Sequence, residues 1–201
     1  DPCFPVQLAH GHLINLMQKN VDYIFVPNFV TEEDPADSIN SFICPWTQTL
    51  PLIALHTPSL DGIKNKLLYP NIQFRMGKAF VQKELFKTVS ALGVSKNENK
   101  NGIDTAYKAQ TTFNNKRRNT GNKILNTVIE DKIPAVVILG RPYNLYDPGL
   151  NLNIPAKLRD IYGINILPMD YLPLDSIDIS KINDHMFWHY GKKIIQAAKF
   201  T

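Results

Sequence analysis

The chain has 201 residues, 44% of them hydrophobic and 20% charged, with a formal charge of +4. That balance is too apolar and too weakly charged for a disordered segment, and the length suffices to bury a sizeable core in one large domain or two small lobes. No apolar run approaches the roughly 18 residues a membrane span needs, no signal peptide is visible, and two cysteines make no disulfide framework, so a cytoplasmic, reducing setting is expected.

Cys3-Phe4-Pro5-Val6 leads into an apolar-periodic run at 5–18, where Val6, Leu8, Leu13, Leu16 and Met17 fall near one helical face and Asn20 is a plausible stop. Proline is tolerated in a first helical turn, because the N–H it lacks is not needed there. His10-Gly11-His12 lies within this helix. Histidines two apart point to different faces, which argues for a packing glycine beside one hydrogen-bonded histidine rather than a joint metal site. Tyr23-Ile24-Phe25-Val26, closed by Pro27-Asn28, reads as a short buried strand. Residues 28–43 read as a polar loop, with Glu32-Glu33-Asp34-Pro35 a solvated turn.

Cys44-Pro45-Trp46 opens a second helix carrying Leu50, Leu52, Ile53 and Leu55, with Pro51 bending it or limiting its start. Both cysteines therefore stand at or beside a helix N-terminus, where unpaired N–H groups and the dipole favour negative charge. A thiolate is a nucleophile and a soft metal ligand, but two ligands do not complete a metal site. The plainer alternative makes both cysteines small buried hydrophobes. Further on, Ile72-Gln73-Phe74 reads as another strand.

From Lys78 to about Leu92 the pattern is helical, with Phe80, Val81, Leu85, Val89 and Leu92 at helical spacing and Gly93 as a C-terminal signal. The stretch 95–102 is polar and turn-like. Residues 103–130 read as one long polar helix with sparse apolar anchors, weakened locally by Gly121. Its basic segment, 108–123, contains Lys116-Arg117-Arg118 and reads as a solvated helix face. With Phe113 its sole aromatic, nucleic acid is not an expected partner.

The last third changes character. Pro134-Ala135-Val136-Val137-Ile138-Leu139-Gly140 is the clearest buried strand, followed by a short helix at 154–161, a second strand at Ile164-Asn165-Ile166-Leu167-Pro168 and a helix from Met186 to Phe200. This order implies a crossover between parallel strands. Ligands gather at the carboxyl ends of such strands, which favours the loop Gly140-Arg141-Pro142-Tyr143-Asn144 as a binding element. There Arg141 can grip a carboxylate or phosphate, and Tyr143 and Asn144 add hydrogen bonds. The alternative is a rigid turn with Arg141 paired to Asp147. His185 and His189, four apart, would share a helical face, but no Glu follows His185 and an aromatic core stripe with Trp188 and Tyr190 is the simpler reading. Neither a dinucleotide fingerprint nor a Walker loop nor a Gly-x-Ser-x-Gly elbow occurs, so no ATP site is expected in this chain.

The expected fold is α/β: two Rossmann-like lobes with parallel strands joined by a helical connector. The divisions are 1–75, an N-terminal lobe with both cysteines; 76–132, the connector; and 133–201, a C-terminal lobe. Opening at Asp1 in mid-motif, the chain is expected to be a fragment of a longer protein.

Three blocks together resemble one family: Cys3-Phe4-Pro5-Val6-Gln7-Leu8-Ala9-His10-Gly11-His12, Tyr23-Ile24-Phe25-Val26-Pro27, and Cys44-Pro45 with Leu50-Pro51. They look like the acyl-CoA dehydratase activase-related family, and Gly140-Arg141-Pro142-Tyr143, Asp147 and Met186-Phe187-Trp188 fit its second half. The resemblance covers nearly the whole chain and is weakest at 95–130. It implies a part of large bacterial proteins that fuse an activator of 2-hydroxyglutaryl-CoA dehydratase, itself an ATPase, to dehydratase-like segments. It further implies that Cys3 and Cys44 are ligands of a [4Fe–4S]-type cluster for low-potential electron transfer to an acyl-CoA, with the fragment alone inactive and without its cluster. The implied partners are the ATPase module and the remaining dehydratase-like segment of the same polypeptide. The competing expectation is a non-catalytic α/β binding or scaffolding module with structural cysteines.

Overall fold

The computed structural model describes residues 3–33 and 41–201. It is a mixed helix-and-strand protein whose strands form short parallel pairs. The chain divides into two compact units, Asp1–Asp104 and Thr105–Thr201.

In the first unit, α1 (Phe4–Gln18) and α2 (Pro45–His56) touch each other, and both rest on the 3₁₀ turns of Pro58–Lys66. Strand β1 (Ile24–Phe25) pairs in parallel with β3 (Leu67–Leu68), and β2 (Asn28–Thr31) with β4 (Asn71–Gln73). Leu13, Ile24, Val26, Ala54, Leu60, Ile63 and Leu67 form the core. Ile24 and Val26 point inward while Tyr23 and Phe25 stay half-exposed, so this strand is buried on one face only, as a period of two dictates. The loop expected over 28–43 contains β2, which exists through its long-range pairing with β4 rather than through local pattern. Asp34 and Pro35 of the acidic turn lie outside the described residues. Phe74 leaves the strand for a 3₁₀ turn and stacks on Phe29 instead.

Helix α3 (Lys78–Val89) is followed by α4 (Lys96–Glu130), 35 residues long. The stretch expected as a turn at 95–102 is the first two turns of α4. Ser95 donates its N–H and Oγ to Glu98 Oε2 at 2.9 and 2.7 Å, and the Glu98 N–H returns to Ser95 Oγ at 3.2 Å. This reciprocal arrangement is a capping box, and it satisfies donors that a helix start leaves open. The start of α4 is tied to α3 by Asn99 Nδ2, which donates to the Gln82 carbonyl at 2.9 Å, and by Asp104, which accepts from Lys78 at 2.5 Å and Lys100 at 2.7 Å.

In the second unit, β5 (Ala135–Ile138) and β6 (Asn165–Pro168) are parallel and in continuous register from Ala135↔Asn165 to Ile138↔Pro168. Between them run α5 (Pro142–Tyr146) and α6 (Ile154–Tyr162), and α7 (His189–Phe200) closes the unit. The core is Leu145, Leu167, Met169, Leu172, Leu174 and Ala197, with Val137 and Ile138 packed on it. The expectation of a fully buried β5 is corrected: Ala135 and Val136 are exposed, because a pair of strands has only one side covered at that end. Helix α7 begins at His189, not at Met186. Gly121 does more than weaken α4. It is buried, and a Cβ there would collide with the Tyr171 carbonyl.

Candidate functional site

The two cysteines occupy equivalent positions. Cys3 is the N-cap of α1 and Cys44 the N-cap of α2, each followed directly or one residue later by proline. The Cys3 carbonyl accepts the N–H groups of Val6 and Gln7 at 3.0 and 3.3 Å, and the Cys44 carbonyl those of Thr47 and Gln48 at 2.9 and 3.1 Å. Neither side chain makes a capping hydrogen bond, so both free thiols are available: Cys3 exposed, Cys44 half-buried. Nearby, His10 commits Nδ1 to the Val6 carbonyl at 2.8 Å. Gly11 faces open space, so the expected packing role for this glycine does not hold.

Thiol donors at two helix N-termini suit an anionic iron–sulfur cluster in chemistry. They do not suit it in number. A cluster takes about four thiolates, the chain contains two cysteines, and among the described residues no group of three or more His, Cys, Asp and Glu gathers as metal ligands. Two thiolates by themselves fall short of the donor set such a cluster takes.

A second constellation stands where β5 and β6 end. Arg141 is the N-cap of α5, its carbonyl accepting the N–H groups of Asn144 at 2.8 Å and Leu145 at 3.0 Å, and the buried Leu145 anchors the turn. The guanidinium lies against three rings, 5.6 Å from the centroid of Tyr143, 5.0 Å from Trp188 and 5.7 Å from Tyr190. Its Nε is buried without a hydrogen-bond partner, and the side chain forms no ion pair among the described residues. Ring faces attract a cation by about 0.5–2 kcal/mol each. They supply no acceptor for its N–H groups. Pairing with Asp147 does not occur, since that carboxylate accepts the N–H groups of Gly149 and Leu150 at 2.8 and 3.0 Å.

The rings are themselves held. Tyr190 donates to Asp170 Oδ1 at 3.0 Å and Tyr146 to Asp170 Oδ2 at 3.2 Å. Partial burial pushes both phenols above their ordinary range, less strongly for Tyr146, which is half-exposed, and the Asp170 charge adds to it. Trp188 fits because residue 191 is glycine: a Cβ there would come within 2.6 Å of the indole. His189 is buried at the first position of α7, whereas His185 precedes the helix, exposed and 3.5 Å from Asp184, so the two share no helical face.

Of the residues singled out from sequence, Arg141 and Tyr143 meet, while Asn144 is exposed with its side chain against Gly140. Asp170, Tyr146, Trp188 and Tyr190 complete the site and were not assigned to it. The Trp188–Tyr190 aromatic stripe was the available signal. In the basic segment, Arg118 pairs with Asp175 and Arg117 lies 5.5 Å from the Phe113 ring, so both serve contacts within their own unit.

Residues 1–172 match the family model described as CoA enzyme activase uncharacterised domain. No curated protein and no solved structure matches the chain. No helix among the described residues is long and apolar enough to cross a membrane.

Proposed function

The chain belongs to the CoA enzyme activase domain family, and from that premise we propose that it is part of an activator of 2-hydroxyglutaryl-CoA dehydratase in which Cys3 and Cys44 supply two thiolates of a [4Fe–4S]-type cluster. When bound, such a cluster would supply low-potential electron transfer, directed in this reading toward an acyl-CoA. The residues of this chain contribute thiols and, through the starts of α1 and α2, N–H dipoles that stabilise negative charge beside them. The remaining ligands come from another segment of the same polypeptide, and the partners are its ATPase activator module and dehydratase-like part. The units are read as Rossmann-like lobes, with 76–132 as the helical connector.

The observation that carries this reading is the shared placement of both cysteines. They are free thiols, uncommitted to capping, at the N-caps of two helices that touch. The test is anaerobic reconstitution with iron and sulfide of the longer polypeptide that carries these residues, alongside Cys3→Ser and Cys44→Ser. Iron and sulfide content and the visible spectrum are the readouts. Loss of the cluster in each variant supports the assignment, and retention in both removes it.

A second reading is a non-catalytic α/β binding module with structural cysteines. It is favoured by Arg141, a half-buried cation held by rings and lacking a carboxylate partner among the described residues. Such a group calls for an anionic acceptor. Arg141, with Tyr143 and Asn144 beside it, is assigned to a carboxylate or phosphate of a substrate or partner. Titration with inorganic phosphate and with acetate, comparing Arg141→Met with the parent chain, tests it. Binding that survives the substitution unchanged rules it out.

A further inference from the structure

A cleft of about 650 Å³, open to solvent, lies within the second unit and is not lined by Arg141, Trp188 or Tyr190. Its volume falls among those of small-molecule sites, about 300–1,000 Å³. The wall is largely apolar, built by Ile124 and Val128 of α4, Ile133 before β5, Leu145 of α5, Pro155 of α6 and Ile166 of β6. The charges are of one sign. Lys123 and Arg159 line the cleft, and no Asp or Glu does.

Most polar side chains of the lining are held within the unit: Thr127 donates to the Lys123 carbonyl, Tyr146 to Asp170, Asn151 to the Leu145 carbonyl and Asn165 to the Pro134 carbonyl. Two are uncommitted: the Lys123 ammonium and the Asn153 side-chain amide make no hydrogen bond or ion pair among the described residues. Arg159 pairs only through Nε with its neighbour Asp160 at 2.8 Å, leaving its terminal nitrogens for another acceptor. Asn153 of the lining, at φ 56°, lies in the left-handed region, as does its chain neighbour Leu152 at φ 55°. Asparagine tolerates that conformation, but leucine rarely adopts it, and such departures cluster at ligand sites.

We propose that this cleft binds a small amphipathic anion, with an unbranched apolar body against the wall and one carboxylate-type group at Lys123 and Arg159. Burying methylenes would drive entry, at about fourfold in affinity per group. The cations would choose the charged end.

The test titrates the 201-residue chain with hexanoate, octanoate, octanol and octylammonium, by calorimetry and by amide NMR shifts. Octanoate is expected to perturb the amides around Lys123, Val128 and Asn153 and to bind more tightly than hexanoate. Lys123→Gln should weaken octanoate about tenfold while leaving octanol unchanged. Val128→Trp should fill the cleft and abolish binding of both. Should that variant not fold by circular dichroism, Ile124→Trp, at a position 38% exposed, makes the same test. Octylammonium binding as tightly as octanoate, or octanoate binding undiminished by a folded tryptophan variant, overturns the proposal.

Discussion

Gly121 meets the backbone carbonyl of Tyr171 with no room for a methyl group between them. This contact fixes α4 against the segment after β6, and a carbonyl held in a 3₁₀ turn cannot step aside as a side-chain tip could.

Two substitutions in one helix should therefore have opposite signs. Helix propensity alone favours Gly→Ala by up to about 1 kcal/mol. At Gly102, which faces open space, Gly102→Ala should stabilise by about 0.5–1 kcal/mol. Gly121→Ala should instead destabilise by about 1–3 kcal/mol, because overpacking outweighs propensity. Urea unfolding of both variants checks this, and equal effects would mean the close approach is absent.

Two tyrosines that share Asp170 make the second unit sensitive to alkali. Tyr146 and Tyr190 hold their protons to higher pH than in the unfolded chain, owing first to burial and then to the Asp170 carboxylate. Their contribution to stability is complete below about pH 10, the ordinary tyrosine range, and declines as pH rises toward the native values. Asp170→Asn should lower the pH at which both ionise without returning it to the ordinary value, since burial remains. Tyrosinate absorbance against pH reads this directly.

The start of α4 responds in the opposite direction. The Ser95 hydroxyl and N–H hold the Glu98 carboxyl below its ordinary range. Lys100 and Lys78 pull Asp104 down to about 2. For depressed carboxylates, the stabilisation is full above the unfolded values, near pH 4, and is lost as pH falls through the native ones. Ser95→Ala and Asp104→Asn should each lower the denaturant midpoint at neutral pH and leave it little changed near pH 2. Far-UV circular dichroism across that range is the measurement.

Thiol labelling separates the cysteines by accessibility. Both are free, and Cys3 is exposed while Cys44 is half-buried. In the isolated chain, maleimide should modify both, with Cys3 the faster, as read from rates in the single Cys→Ser variants. An inert Cys44 would favour a purely structural role for it.

The helix starts at both cysteines were legible because proline and the following apolar period are local signals. The capping box at Ser95-Lys96-Asn97-Glu98 was equally local, yet the Asn-, Lys- and Gly-rich composition around it read as a turn and masked the Ser-x-x-Glu spacing. Strand β2 was not legible, since its four residues owe their pairing to Asn71–Gln73, far along the chain. The same holds for the Arg141 site. Its loop could be placed at the end of β5 from topology, but Asp170, Trp188 and Tyr190 reach it only through tertiary packing.

Trp188, 5.0 Å from the Arg141 guanidinium, also serves as a built-in optical reporter. The chain has two tryptophans, one in each unit: Trp46 in α2 and Trp188 beside Arg141. Replacing either with phenylalanine leaves a single emitter in the other unit. Intrinsic fluorescence can then follow the opening of one unit at a time, and in the Trp46→Phe protein an anion reaching Arg141 would announce itself as a change in emission without any attached dye.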